Sequence, residues 1–153
     1  MSLLDRLRGQ PKWQHADPSI RAAAVDDLDD DAQELLLAIA TEDADPGVRS
    51  VAVMRLTDPA VLGSIAASDQ DDGIRTDAVA ALREMAVGGT DTDVARAALS
   101  GLSEPRDLGE VARVAALESV SLAALERLDA QKTLSAVSRR SAHPAVRLAA
   151  LAR

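Results

Sequence analysis

Apolar residues recur along the chain at three- and four-residue spacing, in short runs that open on an acidic or prolyl turn and close on leucine. The clearest run is DPGVRSVAVMRL, Asp45 to Leu56, whose Val48, Ala52, Val53 and Leu56 share one helical face. An aspartate stands where a helix needs a capping acceptor, and a proline follows where the first helical residue needs no N–H. The phrase returns as DPSIRAAAVDDL from Asp17 to Leu28, as DDGIRTDAVAAL from Asp71 to Leu82, and as HPAVRLAALAR from His143 to Arg153. Copies without the arginine lie over Val94 to Leu102 and Val120 to Leu128. Self-similarity at this period marks stacked helical units.

A second set of helices is predicted between the phrases. Asp29 to Asp31 open DAQELLLAIATE, with Leu35, Leu36, Ile39 and Ala40 apolar, and Thr57 to Pro59 open a helix carrying Val61, Leu62, Ile65 and Ala66. Pro105 opens a helix with Leu108, Val111, Ala112 and Ala115, and Ala130 to Arg140 carries Leu134 and Val137. Each pairs with the phrase that follows it as an antiparallel hairpin, about five in all. From the closing leucine of one phrase to the first aliphatic of the next there are 18 positions for Leu56 to Ile74, Leu102 to Val120 and Leu128 to Val146, and 20 for Leu28 to Val48. Leu82 to Val94 spans 12, too few for a separate first helix, and Gly88–Gly89–Thr90 interrupts the chain there. The unit over 84–105 is therefore expected to be irregular, by a shortened hairpin or by a change of partner order.

The N-terminal 16 residues read as a cap or short helix and linker ahead of a repeat domain over 17–153. SLLDRLR, residues 2–8, is at most a short amphipathic helix, with too little apolar area to anchor a membrane. Trp13 is expected to cover the edge of the first helices, as terminal repeats require. At the other end the chain stops inside its last helix without a polar cap, which leaves a natural truncation and further residues both open.

Composition narrows the core and the compartment. Trp13 is the one aromatic residue, so the interior must be built from Leu, Val, Ile and Ala, and the alanine content favours helix. Without cysteine neither a disulfide framework nor a thiolate metal site can form. No apolar run of roughly 20 residues exists to span a bilayer, and a soluble cytoplasmic protein is expected. The net charge of -8 is unevenly placed: residues 16–130 hold nine basic and 24 acidic side chains, whereas residues 131–153 hold five basic and no acidic ones. An acidic body repels phosphate backbones, and the basic end suits an acidic protein surface.

These phrases resemble the HEAT family of armadillo-like helical repeats, on Asp17, Pro18, Ile20 and Arg21; Asp45, Pro46, Val48 and Arg49; Asp71, Ile74 and Arg75; and Pro144, Val146 and Arg147. Asp72 replaces the proline in the third copy and His143 the aspartate in the fourth. The resemblance implies an all-α, right-handed superhelical solenoid of antiparallel hairpins. The opening PKWQHADPSIR is similar to the N-terminal repeat region of certain large bacterial proteins of unassigned activity.

Candidate chemistry is sparse. The early arginines are expected to reach aspartates in neighbouring turns, a ladder of Asp17, Asp45 and Asp71 with Arg21, Arg49, Arg75 and Arg147 that fixes register; a phosphate or peptide carboxylate is the weaker alternative ligand. His15 and His143 lie at opposite ends of the chain, and His143 reads as an N-capping variant. The run Asp26, Asp27, Asp29, Asp30, Asp31 lacks the spacing and glycine of a calcium loop, and Gly88–Gly89 lacks the lysine of a phosphate loop. No metal, cofactor or catalytic residue is expected. The function expected is a non-catalytic scaffold that binds a protein or another region of a larger assembly, through exposed residues such as Asp27, Met54, Arg55, Ala81 and Arg127, with Arg139 and Arg140 as an electrostatic docking point. A nucleic-acid protein resembling HEAT-like DNA glycosylases is disfavoured by the acidic body and scarce aromatics. A likeness to HEAT-like bilin lyases rests on repeat similarity alone.

Overall fold

The computed structural model describes residues 11–153. The amphipathic segment 2–8 lies outside the described residues. Within them the chain forms a short 3-10 turn, Lys12–Gln14, and ten α-helices without strands: α1 Pro18–Asp26, α2 Gln33–Glu42, α3 Pro46–Met54, α4 Pro59–Ser68, α5 Asp72–Gly88, α6 Thr92–Ser100, α7 Pro105–Val114, α8 Glu118–Glu126, α9 Gln131–Arg140 and α10 Pro144–Leu151. Local chemistry accounts for most of the starts. Asp17, Asp45, Asp58, Asp71 and Asp91 each accept backbone N–H bonds at the head of α1, α3, α4, α5 and α6. Each such cap contributes about 1 kcal/mol. Proline occupies the first turn of α1, α3, α4, α7 and α10, where its missing N–H has no partner to lose.

The helices stack as antiparallel hairpins in a solenoid-like array. α2 packs on α3, α4 on α5, α7 on α8 and α9 on α10. Odd-numbered helices also lie side by side, α1 on α3, α3 on α5, α5 on α7 and α7 on α9, while α4, α6, α8 and α10 form the opposing layer. The core between them is aliphatic, with Leu36, Leu62, Ile74, Leu82, Leu102 and Leu128 essentially inaccessible to solvent. Trp13 is half-buried against the first helices.

Helix α5 resolves the irregular centre. It runs for 17 residues where its neighbours have nine or ten, and one buried stripe, Ile74, Ala78, Ala81, Leu82 and Ala86, continues along it. Its first part carries the repeated phrase; the whole helix meets α3, α4, α6 and α7, and Arg83 at the start of the extension pairs with Asp107 of α7 at 2.9 Å. The phrase helices are thus α1, α3 and α5 in one layer and α6, α8 and α10 in the other. Backbone bonds show the second role of α5 directly. Ala116 N–H donates to Val87 C=O at 2.8 Å near the end of α5, and Ala142 N–H donates to Arg113 C=O at 2.8 Å near the end of α7, with the same 29-residue offset. The end of α5 therefore stands to the α7–α8 turn as the end of α7 stands to the α9–α10 turn.

Close approach at the joint needs small residues. The Leu82 side chain lies where a Cβ on Gly101 would stand, at 2.9 Å, and Thr133 Cγ2 of α9 would meet a Cβ on Gly109 of α7 at 2.6 Å. Glycine at these positions lets the helices touch backbone to side chain.

Candidate functional site

The arginines that punctuate the phrases form two sets with different jobs. In the first set Nη1 of each guanidinium donates to the carbonyl six residues earlier, at the end of the preceding turn: Arg21 to His15 at 2.9 Å, Arg49 to Asp43 at 3.1 Å, Arg75 to Asp69 at 2.6 Å and Arg147 to Ser141 at 2.8 Å. The side chain at that same earlier position accepts the N–H two residues on, through His15 Nδ1, Asp43, Asp69 or Ser141 Oγ. Each turn is closed by a local lock before any neighbour is involved.

Links between turns extend from two of these locks. Arg21 donates through Nε and Nη2 to both oxygens of Asp43, at 2.8 and 2.7 Å, tying the head of α1 to the α2–α3 turn. Arg49 lies 3.8 Å from Asp71. Arg75 pairs with Asp72 on its own helix. Asp17, Asp45 and Asp71 cap their own helices, so the carboxylate that Arg21 engages is Asp43, two positions before Asp45. Where the phrase lacks the arginine, buried Ala95 and Ser121 take its place, and Ser121 Oγ donates to Val111 C=O. His143 occupies the N-cap position of α10 without a side-chain capping bond: its Nε2 bonds Ala115 C=O at 2.8 Å in the neighbouring turn, which makes that nitrogen the protonated one.

The Asp43 carboxyl is held below the usual carboxylate range, chiefly by the Arg21 hydrogen bonds, with the Asp45 N–H adding to them against the cost of desolvation. The Arg21 guanidinium is correspondingly shifted upward by Asp43. With its side chain 9 % exposed, Asp43 is screened little by water. A depressed folded-state pKa gives stability that is present above the unfolded value and lost as pH falls through the folded one. Asp43→Asn is therefore expected to lower stability by about 1 kcal/mol at pH 7. In urea titrations the gap to the parent should narrow below about pH 4, where the unfolded carboxyl is protonated; a gap independent of pH would refute the charge contribution.

The second set is structural, where the sequence predicts a partner surface for Arg55 and Arg127. Arg55, Arg127 and Arg153 stand seven residues after the first aliphatic of their phrases and lie over the carbonyls that end the neighbouring phrase helix. Arg55 Nη1 reaches Val25 and Asp26 C=O at 2.8 and 2.7 Å, Arg127 Nη1 reaches Leu99 C=O at 2.7 Å, and Arg153 Nη1 reaches Leu125 C=O at 2.7 Å. A cation there adds a second donor to carbonyls that already accept a backbone N–H three residues on, and it complements the helix dipole. Arg55 and Arg127 are thereby engaged within the fold, Arg127 while remaining exposed, and Ala81 is buried in α5. Asp27 and Met54 are exposed. Arg139 and Arg140, at the end of α9, are exposed and engage no other described residue.

No group of three His, Asp or Glu side chains is arranged to hold a metal ion among the described residues. Of the acidic run after α1, Asp30 pairs with Arg55 at 2.8 Å. No described helix is long and apolar enough to cross a membrane. Open grooves lie on the surface, one of about 450 Å³ between the ends of α2 and α4, one of about 730 Å³ along α5 and the head of α7, and one of about 410 Å³ between the ends of α3 and α5. No protein-family model, curated protein or solved structure matches the chain.

Proposed function

We propose that this protein is a non-catalytic cytoplasmic scaffold whose helical array binds another protein, with the α9–α10 pair as a docking surface. The observation that carries the reading is the free surface at that pair. Arg139 and Arg140 are exposed without partners on α9, and Leu148 and Leu151 on α10 are 69 % and 70 % exposed. Most other arginines are engaged by turns and helix ends. Exposed leucines on α10 and unpaired guanidinium groups at the end of α9 suit a protein surface that carries both apolar and acidic groups. In finer detail the array reads as a right-handed HEAT-like superhelix of five hairpins, with α5 counted in two of them.

A nucleic-acid partner is less well supported, because the acidic body over 16–130 opposes phosphate contacts. The test is affinity capture from cell extract with the parent chain and with Arg139→Glu/Arg140→Glu. The double variant should lose the captured protein, most clearly at low salt. Unchanged capture at low salt rejects this surface, and a small-molecule turnover without any protein partner rejects the scaffold.

A further inference from the structure

In the C-terminal part of the array each unit is joined to the next through a recurring flank. One element of it is a backbone carbonyl near a helix end: Val87 C=O of α5 accepts Ala116 N–H, and Arg113 C=O of α7 accepts Ala142 N–H, both at 2.8 Å. The other element is a pair of side chains on the phrase helix, two and five residues after its first aliphatic. On α8 these are Leu122, half-buried, and Leu125, 2 % exposed, and α10 packs alongside that helix with Arg153 over Leu125 C=O. The α9–α10 hairpin repeats this flank residue for residue. Arg139 stands 26 positions after Arg113, and Leu148 and Leu151 stand 26 positions after Leu122 and Leu125. Here Arg139 C=O accepts no donor among the described residues, and both leucines are exposed where their counterparts on α8 are packed.

We propose that this flank of α9–α10 receives an acidic helical hairpin of a partner protein, docked as α9–α10 docks on α7–α8. The inference rests on the scaffold reading and names the shape and chemistry of what is bound. The partner's turn donates an N–H to Arg139 C=O, its second helix lays apolar side chains on Leu148 and Leu151, and its carboxylates face Arg139 and Arg140. The backbone bond sets register and the leucines supply the buried area, as at the internal joints. Charge selects the partner. Residues 131–153 hold five basic and no acidic side chains, so a second copy docked through the same flank brings like charges together. At the other end of the array α1 already packs against the Lys12–Gln14 turn.

The probe is a synthetic peptide of residues 103–129, the α7–α8 hairpin, with six acidic and three basic side chains and the donor Ala116 in its turn. It is titrated into the full chain labelled with carbon-13 at the arginine carbonyls. Binding should move the Arg139 carbonyl resonance, and a scrambled peptide of the same composition should leave it in place. Ala116→Pro in the peptide removes the N–H and should weaken binding roughly three- to tenfold. Leu148→Ala/Leu151→Ala in the chain should weaken it at least about tenfold, with far-UV circular dichroism checking the fold. An isolated hairpin of this length is marginally helical, so the same sequence is also joined to Arg153 by a Gly-Ser linker, which raises its effective concentration to about millimolar; where the free peptide does not bind, the tethered form decides. An unmoved Arg139 carbonyl in the tethered chain, equal binding of the scrambled peptide, or an affinity indifferent to the two leucines overturns the proposal. Light scattering that shows the parent associating with itself through Leu148 and Leu151 overturns it as well, by placing a second copy on the flank. Any of these results with protein capture still sensitive to Arg139→Glu/Arg140→Glu leaves the scaffold standing, whereas a parent chain that captures nothing tells against the scaffold itself.

Discussion

Glu84→Pro is expected to cost about 3 kcal/mol or more and to divide the unfolding of the array into two steps. Glu84 is the thirteenth residue of α5, exposed and free of side-chain partners, so the substitution removes little besides helix continuity. Proline there deletes the N–H bond to the carbonyl four residues back and drives its ring against that carbonyl. The break falls within the extension, just after Arg83, which pairs with Asp107 of α7, and ahead of Val87, whose C=O accepts Ala116 N–H from the α7–α8 turn. In a repeat array stability is close to a sum of unit and neighbour terms, so loss of the shared helix uncouples the halves. Urea titrations followed by helicity should become biphasic in the variant, while Glu84→Ala stays within about 0.5 kcal/mol of the parent. A single sharp transition in Glu84→Pro would show that α5 is not the coupling element.

The importance of α5 was half legible in the sequence. The 12-position gap from Leu82 to Val94 forbade a normal hairpin, and that was readable as a shortened unit or a change of partner order. What periodicity does not give is the layer in which each helix lands, because that depends on where the preceding helix stops. Arg83 to Gly88 contain no proline and add Ala86 to the buried stripe, so the phrase helix runs on and the next phrase falls in the opposing layer. The caps were legible for a local reason: an Asp-Pro start fixes the acceptor and the first turn together, within a few residues.

The two arginine sets divide along the same line. The carbonyl six residues behind Arg21, Arg49, Arg75 and Arg147 is local, yet the sequence drew attention to Asp45 and Asp71 and away from Asp43 and Asp69, since a helix cap is the commoner role for an aspartate at a turn. The regular position of Arg55, Arg127 and Arg153, seven residues after an aliphatic, was available as a signal. A helical wheel places them within about 20° of that aliphatic, at the margin of the buried face, and it cannot show that a neighbouring helix ends beneath them. That omission assigned Arg55, Ala81 and Arg127 to a partner surface. The structure engages the two arginines, buries the alanine, and leaves the groove beside it.

Leu128→Ala is expected to lower stability by about 2–5 kcal/mol, whereas Leu148→Ala should stay within about 0.5 kcal/mol of the parent. Both leucines belong to the C-terminal part of the array, but Leu128 closes its phrase at the position of Leu56 whereas Leu148 stands where Ser50 does, off the apolar face. Leu128 is 1 % exposed just beyond α8, held by its N–H bond to Leu125 C=O, and Leu148 is 69 % exposed on α10. Truncating Leu128 removes buried methyl groups and leaves a cavity that the surrounding helices fill incompletely. Because Arg153 closes on Leu125 C=O in the same turn, the loss should also loosen α10 from α8, read as faster amide exchange in α10. Truncating Leu148 removes surface that water already covers and replaces it with the best helix former. If instead Leu148→Ala matched Leu128→Ala in stability loss at low protein concentration, α10 would be packed against part of its own chain and its outer face would not be available for docking. If it preserved stability and abolished capture of the partner, fold and function would be separated on one helix.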